Sequence, residues 1–126
     1  MKKHRSIVLI LSLACACVIS VGCATNHPGA ATAPPNSGHL LVYRVPNFGT
    51  DIGLILSIDG KDVGSFTEGT NYDGYLSAGQ HHLTARPDPN RTGARSGRTT
   101  LTVKAGQTYS YTAAWSGQNL ALVRNQ

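Results

Sequence analysis

The chain is poor in thiols. Its three cysteines, Cys15, Cys17 and Cys23, all lie near the start, and none follows between Ala24 and Gln126. That excludes a disulfide framework and a cysteine-ligated zinc site from most of the sequence. Acidic side chains are also few: Asp51, Asp59, Asp62, Glu68, Asp73 and Asp88. Most stand at turns or beside glycine, where aspartate serves local hydrogen bonds, and no spacing among them signals acid/base chemistry. The G-x-S-x-G elbow, the phosphate-cradling G-x-x-x-x-G-K-[ST] loop and the H-E-x-x-H zinc motif are all missing. His81 and His82 are neighbours in an expected strand and so point to opposite faces, which separates them as metal ligands. No catalytic residue, metal ligand or cofactor is assigned, and the chain is not expected to be an enzyme. Also missing are a run of about twenty apolar residues with a stop-transfer pattern and any helical stripe of apolar residues.

What the sequence does have is a pronounced start. Lys2, Lys3, His4 and Arg5 form a charged tip, and the apolar stretch from Ile7 to Val21 is broken only by Ser12 and Ser20. This is the layout of a secretory signal peptide. Its end, Ser20-Val21-Gly22-Cys23, resembles the lipobox of bacterial lipoproteins, in which small residues admit the peptidase and the cysteine thiol accepts a diacylglyceryl group. Ser20 stands where that pattern usually carries Leu, Val or Ile. Cys15 and Cys17 are rival acceptors, but cleavage at either leaves Val18 to Val21 as an apolar new start, so Cys23 fits the change of composition best. The resemblance implies that residues 1–22 are removed and that Cys23 carries two or three acyl chains. Each buried methylene contributes about 0.8 kcal/mol, which makes such an anchor effectively permanent. Ala24 rather than Asp follows the cysteine, which in a Gram-negative host resembles proteins sent on to the outer membrane. The expected location is the cell envelope, lipid-anchored and facing the periplasm.

Residues 23–38, with Pro28, Pro34, Pro35, Gly29 and repeated Ala and Thr, hold too little bulky apolar surface to offset the entropy of ordering. They are expected to be a flexible tether. Residues 39–126 are the length of one domain with one core. The formal charge of +5, less the three cations Lys2, Lys3 and Arg5, leaves +2, which is not the balance of a nucleic-acid-binding protein. The excess is uneven: Arg86, Arg91, Arg95 and Arg98 lie close together with only Asp88 between them, in a stretch that reads as a loop. They are the candidate contacts for an anionic partner, with a solvated surface loop as the competing reading.

From His39 onward, short runs of Val, Leu, Ile, Thr and Tyr are punctuated by Gly, Asn and Asp, as in an all-β domain. The expected strands are Leu40 to Val45, Leu54 to Asp59, Asp62 to Phe66, Tyr72 to Leu76, His81 to Arg86, Thr99 to Lys104, Thr108 to Trp115 and Asn119 to Arg124. Leu54, Leu56 and Ile58 alternate with polar residues, as do Leu101 and Val103, so those faces belong to the core. Asp59-Gly60 tolerates the positive φ angles of a tight hairpin. Ala78-Gly79-Gln80 and Ala105-Gly106-Gln107 read as a repeated turn, with His81 half-buried beside the first. Tyr109, Tyr111, Ala113 and Trp115 share one strand face and are assigned to the core.

Leu41-Val42-Tyr43-Arg44, Leu56 to Gly64 (LSIDGKDVG), Leu76 to His81 (LSAGQH) and Leu101 to Tyr109 (LTVKAGQTY) stand in an order that resembles PEGA-like domains. They are closer still to a bacterial lipoprotein domain family of unknown function with a tyrosine-arginine strand, a DGK-x-VG hairpin and an AG-x-H turn. Val45 here precedes the proline that in the family follows the tyrosine-arginine pair directly, so the first strand is expected to end one residue later. The resemblance implies a small antiparallel immunoglobulin-like or transthyretin-like β-sandwich of seven to eight strands. It carries no site residue with it. The expected function is a non-catalytic, lipid-anchored envelope module that binds or spaces another envelope component, a protein or a cell-wall polymer. The alternatives are an envelope hydrolase with a carboxylate or histidine near His81, and an anionic-polymer or lipid binder through Arg86 to Arg98.

Overall fold

The computed structural model describes residues 32–126, and the segment bearing Cys23 lies outside them. Eight strands follow one another: β1 (Ser37–Arg44), β2 (Gly53–Ile58), β3 (Lys61–Phe66), β4 (Tyr72–Ser77), β5 (Gly79–Asp88), β6 (Gly97–Val103), β7 (Thr108–Ser116) and β8 (Asn119–Arg124). A short 3-10 turn, Pro46–Phe48, interrupts the β1–β2 connection. The strands form two four-stranded sheets, β4-β1-β7-β8 and β3-β2-β5-β6, packed as an all-β sandwich.

Alternation decides what lies between the sheets. Leu40, Val42, Leu76, Tyr109 and Tyr111 from one sheet meet Leu56, Ile58, Leu83, Leu101 and Val103 from the other. Burying a side chain of this size contributes about 2 kcal/mol. A second cluster of Phe48, Leu54, Ala85, Ala113 and Leu120 fills one end. At that end lie the β1–β2, β3–β4, β5–β6 and β7–β8 connections. The opposite end holds the β2–β3 hairpin, Ala78, the β6–β7 turn and the chain's entry into β1.

Two backbone features fix the frame. Asp59 and Gly60 both have positive φ, 51° and 82°, the primed turn whose twist matches its flanking strands. At Gly97 a Cβ would stand 2.9 Å from the Leu120 carbonyl oxygen and 3.0 Å from Ala121 Cα, so only glycine lets β6 close on β8. Leu120 N–H donates to the Arg95 carbonyl at 3.0 Å across the same seam.

Four expectations are corrected. The sandwich is not wholly antiparallel: β1 and β7 run parallel, with Leu40 opposite Tyr109 and Val42 opposite Tyr111, because both strands head toward the same end. The domain starts before residue 39. Ser37 and Gly38 already pair with Ser77 and Leu76, and the missing Cβ of Gly38 makes room for Val103 and the β6–β7 turn backbone. Gly79 and Gln80 are strand rather than turn, paired with Val103 and Thr102, so Ala78 alone carries the chain from one sheet to the other. β1 ends at Arg44 and not one residue later.

Candidate functional site

A concavity sits at the end of the sandwich away from chain entry. It has a volume of about 350 Å³ and is open to solvent, with Ile52, Pro87 and Trp115 as apolar lining and Arg91, Thr92 and Gln118 as polar lining. Strand pairing builds its floor: Leu83, Ala85 and Pro87 alternate inward along β5, while Trp115 continues the inward series Tyr109, Tyr111, Ala113 of β7. Trp115 is where that series emerges from the core, so the indole is half-buried rather than enclosed. Pro89 and Asn90 complete the wall. The Asn90 side chain both donates to the Ala94 carbonyl at 2.8 Å and accepts from Ala94 N–H at 2.9 Å, which folds the β5–β6 loop back on itself.

Behind the floor stands a buried arginine. Arg44 is 8% exposed, on the inward face of β1 beyond Leu40 and Val42. Its Nη2 donates to the carbonyls of Gly49 at 2.5 Å and Ile52 at 2.8 Å, clamping the β1–β2 connection. Its Nε and Nη1 have no hydrogen-bond partner among the described residues, and the guanidinium lies 5.3 Å from the Phe48 ring centroid. Phe48 in turn stacks on Trp115, with centroids 4.7 Å apart and planes inclined by 23°. Arg44 therefore holds Phe48 and Ile52 in place, and Phe48 fixes the indole that lines the cleft.

The sequence-predicted arginines do not act as one patch. Arg86 lies within β5, where it forks onto Asp62 with bonds of 2.9 and 2.8 Å. That fork first, and the Ser57 hydroxyl at 2.6 Å second, hold the Asp62 carboxyl well below the usual carboxylate range. Arg98 lies within β6, near His82 and Thr100 on the outer face. Only Arg91 and Arg95 belong to the loop, and only Arg91 lines the cleft. Repeated pairing with β2 and β6 extends the strands past the point where Pro, Gly and Asn had marked a loop.

His81 and His82 separate as the strand pleat requires. His82 Nδ1 faces the Thr100 hydroxyl at 3.2 Å. His81 Nδ1 lies 2.6 Å from Asp59 Oδ2, and its Nε2 lies 2.8 Å from the Ser77 carbonyl and 3.5 Å from the Ser77 hydroxyl. Serine, histidine and aspartate thus stand in the order of a hydrolytic triad, a grouping that sequence spacing did not reveal. Burial of the ring opposes its charge, but the Asp59 carboxylate and Ser77 carbonyl together raise the His81 pKa. With an acceptor at each nitrogen the ring favours the imidazolium, which has no lone pair to take a proton from Ser77. Asp73 pairs instead with His39 at 2.6 Å, and His39 stacks on Tyr75. Among the described residues no three His, Cys, Asp or Glu gather where a metal ion would sit.

The lining residues Ile52, Pro87, Pro89 and Gln118 were not singled out from sequence. The Pro87-Asp88-Pro89 run is the one local signal that marks them, since two prolines bracket the end of a strand. In comparisons with known proteins, no family model and no curated protein matches the chain.

Proposed function

We propose that this chain is a lipid-anchored envelope protein, acylated at Cys23 after loss of residues 1–22, whose sandwich is a non-catalytic binding module. Its partner is another envelope component, met through the Trp115 cleft. The supporting observation is the lining of that cleft: an aromatic and two prolines with a guanidinium, a hydroxyl and two amides, and no carboxylate or imidazole. Such a surface binds and orients a ligand, and it offers none of the usual groups for moving a proton at neutral pH. Placement supports the same reading. The chain enters the domain beside Gly106 and Gln107, at the end opposite the cleft. An anchor upstream of that entry leaves the cleft at the far end of the domain from its attachment. The hydrolase alternative draws on Ser77, His81 and Asp59, but His81 there is engaged at both nitrogens.

A photo-crosslinking residue at Gln118 is expected to capture an envelope component in intact cells, whereas one at Lys61, on the hairpin side, is expected not to. Equal capture from both positions would remove the cleft from the proposal. Cys23→Ser is expected to abolish lipid labelling and release the protein to the soluble fraction; a label that persists would move the anchor to Cys15 or Cys17.

A further inference from the structure

We infer that the cleft takes a glycan carrying a carboxylate, with a sugar face laid on the Trp115 indole and the carboxylate held by Arg91. This rests on the reading of the cleft as a binding site and adds the chemical class of what it binds.

The indole is the first reason. An aromatic platform suits the apolar C–H face of a sugar ring when it is flat, partly exposed and rigid, so that little side-chain entropy is lost on binding. Trp115 meets each condition: it is half-buried, and its stack with Phe48 is secured by the Arg44 clamp on the β1–β2 connection. Around it the Thr92 hydroxyl, the Gln118 amide and the Arg91 guanidinium belong to the lining and make no hydrogen bond to the described residues, so their donors are unspent. The amide of Asn90 is different, being spent on Ala94.

Charge is the second reason. Arg91 is the sole ionised group in the lining. Asp88, close by in sequence, lies on the outer face of β5, where its charge acts on Arg86. Nothing in the lining neutralises Arg91, and a planar guanidinium matches a carboxylate through two parallel bonds.

The walls favour a sugar over a peptide strand. Extended peptides are gripped by the unpaired backbone of a sheet edge. Here the nearby edges, β6 and β8, close on each other at Gly97, and the cleft is made of loops and strand ends. Its volume, about 350 Å³, falls within the roughly 300–1,000 Å³ usual for small-ligand sites.

Trp115 is the only tryptophan of the chain, so its emission reports the cleft directly. The full chain carrying Cys23→Ser would be titrated with two probes that share a two-ring amino-sugar backbone. One is N-acetylglucosaminyl-N-acetylmuramic acid, which bears a lactyl carboxylate; the other is chitobiose, which has none. The acidic sugar is expected to perturb the emission and to bind about tenfold tighter than chitobiose, the range of one charge-assisted contact. Arg91 is exposed, so Arg91→Gln should fold normally and erase that preference, bringing the acidic sugar down to the affinity of chitobiose. Equal affinity for the two sugars, or none for either, overturns the inference. If neither sugar binds while the Gln118 crosslink is still captured, the binding module stands and its ligand class is wrong. If both fail, both readings fall together.

Discussion

Asp59 Oδ2 lies 2.6 Å from His81 Nδ1, and Asp59 Oδ1 accepts the His82 backbone N–H at 2.8 Å, so one carboxylate ties the β2–β3 hairpin to the start of β5. The His82 N–H first, and His81 second, lower the Asp59 pKa below its ordinary 3.8, while the His81 pKa is raised above its ordinary 6.5. A raised histidine stabilises the fold fully below its unfolded value and loses that contribution as pH rises through the folded one. A lowered aspartate does so above its unfolded value and loses it as pH falls. The clasp is therefore strongest between about pH 4 and about pH 6.5.

The melting temperature lost through His81→Gln is accordingly expected to be larger at pH 5.5 than at pH 8.5. The same loss at both values would mean that the ring acts only by packing.

Arg44→Ala is expected to destabilise the domain by about 2 kcal/mol, since the part-buried bonds from its guanidinium to the Gly49 and Ile52 carbonyls are lost. The single tryptophan adds a second readout. With Phe48 unclamped, Trp115 emission should shift to the red before the fold melts. Unchanged emission in the folded variant would show that the stack stands without the clamp.

Gly97→Val is expected to cost about 1–3 kcal/mol, because backbone atoms of Leu120 and Ala121 stand where the new Cβ would go. Chemical denaturation measures it. A neutral result would show that β8 moves away freely.

Arg86→Gln and Arg91→Gln remove the same charge from positions close in sequence. Arg86 is already committed to Asp62, so its loss should leave binding of the acidic disaccharide unchanged, whereas Arg91→Gln weakens it. Parallel titrations separate the two, and equal weakening would restore a diffuse basic patch.

The strands were legible because their alternation is strict. Leu101 and Val103 stand between threonines, and Asp59-Gly60 admits a single tight hairpin geometry, so the eight strands lie close to where periodicity placed them. Their boundaries were less legible where pairing overrode composition: Ser37 and Gly38 have little apolar surface, yet they are ordered by β4 and the β6–β7 turn. The cleft was only half visible. Trp115 was placed on the right strand face, but whether the last residue of an inward series is enclosed or exposed depends on what the neighbouring loops do, and no local pattern encodes that. Arg44 showed the same limit, since its place on the inward face is set by β1 parity while its partners come from carbonyls further along the chain. The grouping of Ser77, His81 and Asp59 required the sheet crossing at Ala78, which a turn-like glycine concealed.

The parallel pairing of β1 with β7 has a consequence for how the molecule comes together. β1 is an interior strand of its sheet, flanked by β4 on one side and β7 on the other. Strand β1 must wait for β7, far along the chain, before both its edges are satisfied, and such distant closures slow folding. A chain cut anywhere ahead of Thr108 would leave Leu40 and Val42 without their neighbours Tyr109 and Tyr111. No stable half-molecule is expected: the body assembles whole or stays open to degradation.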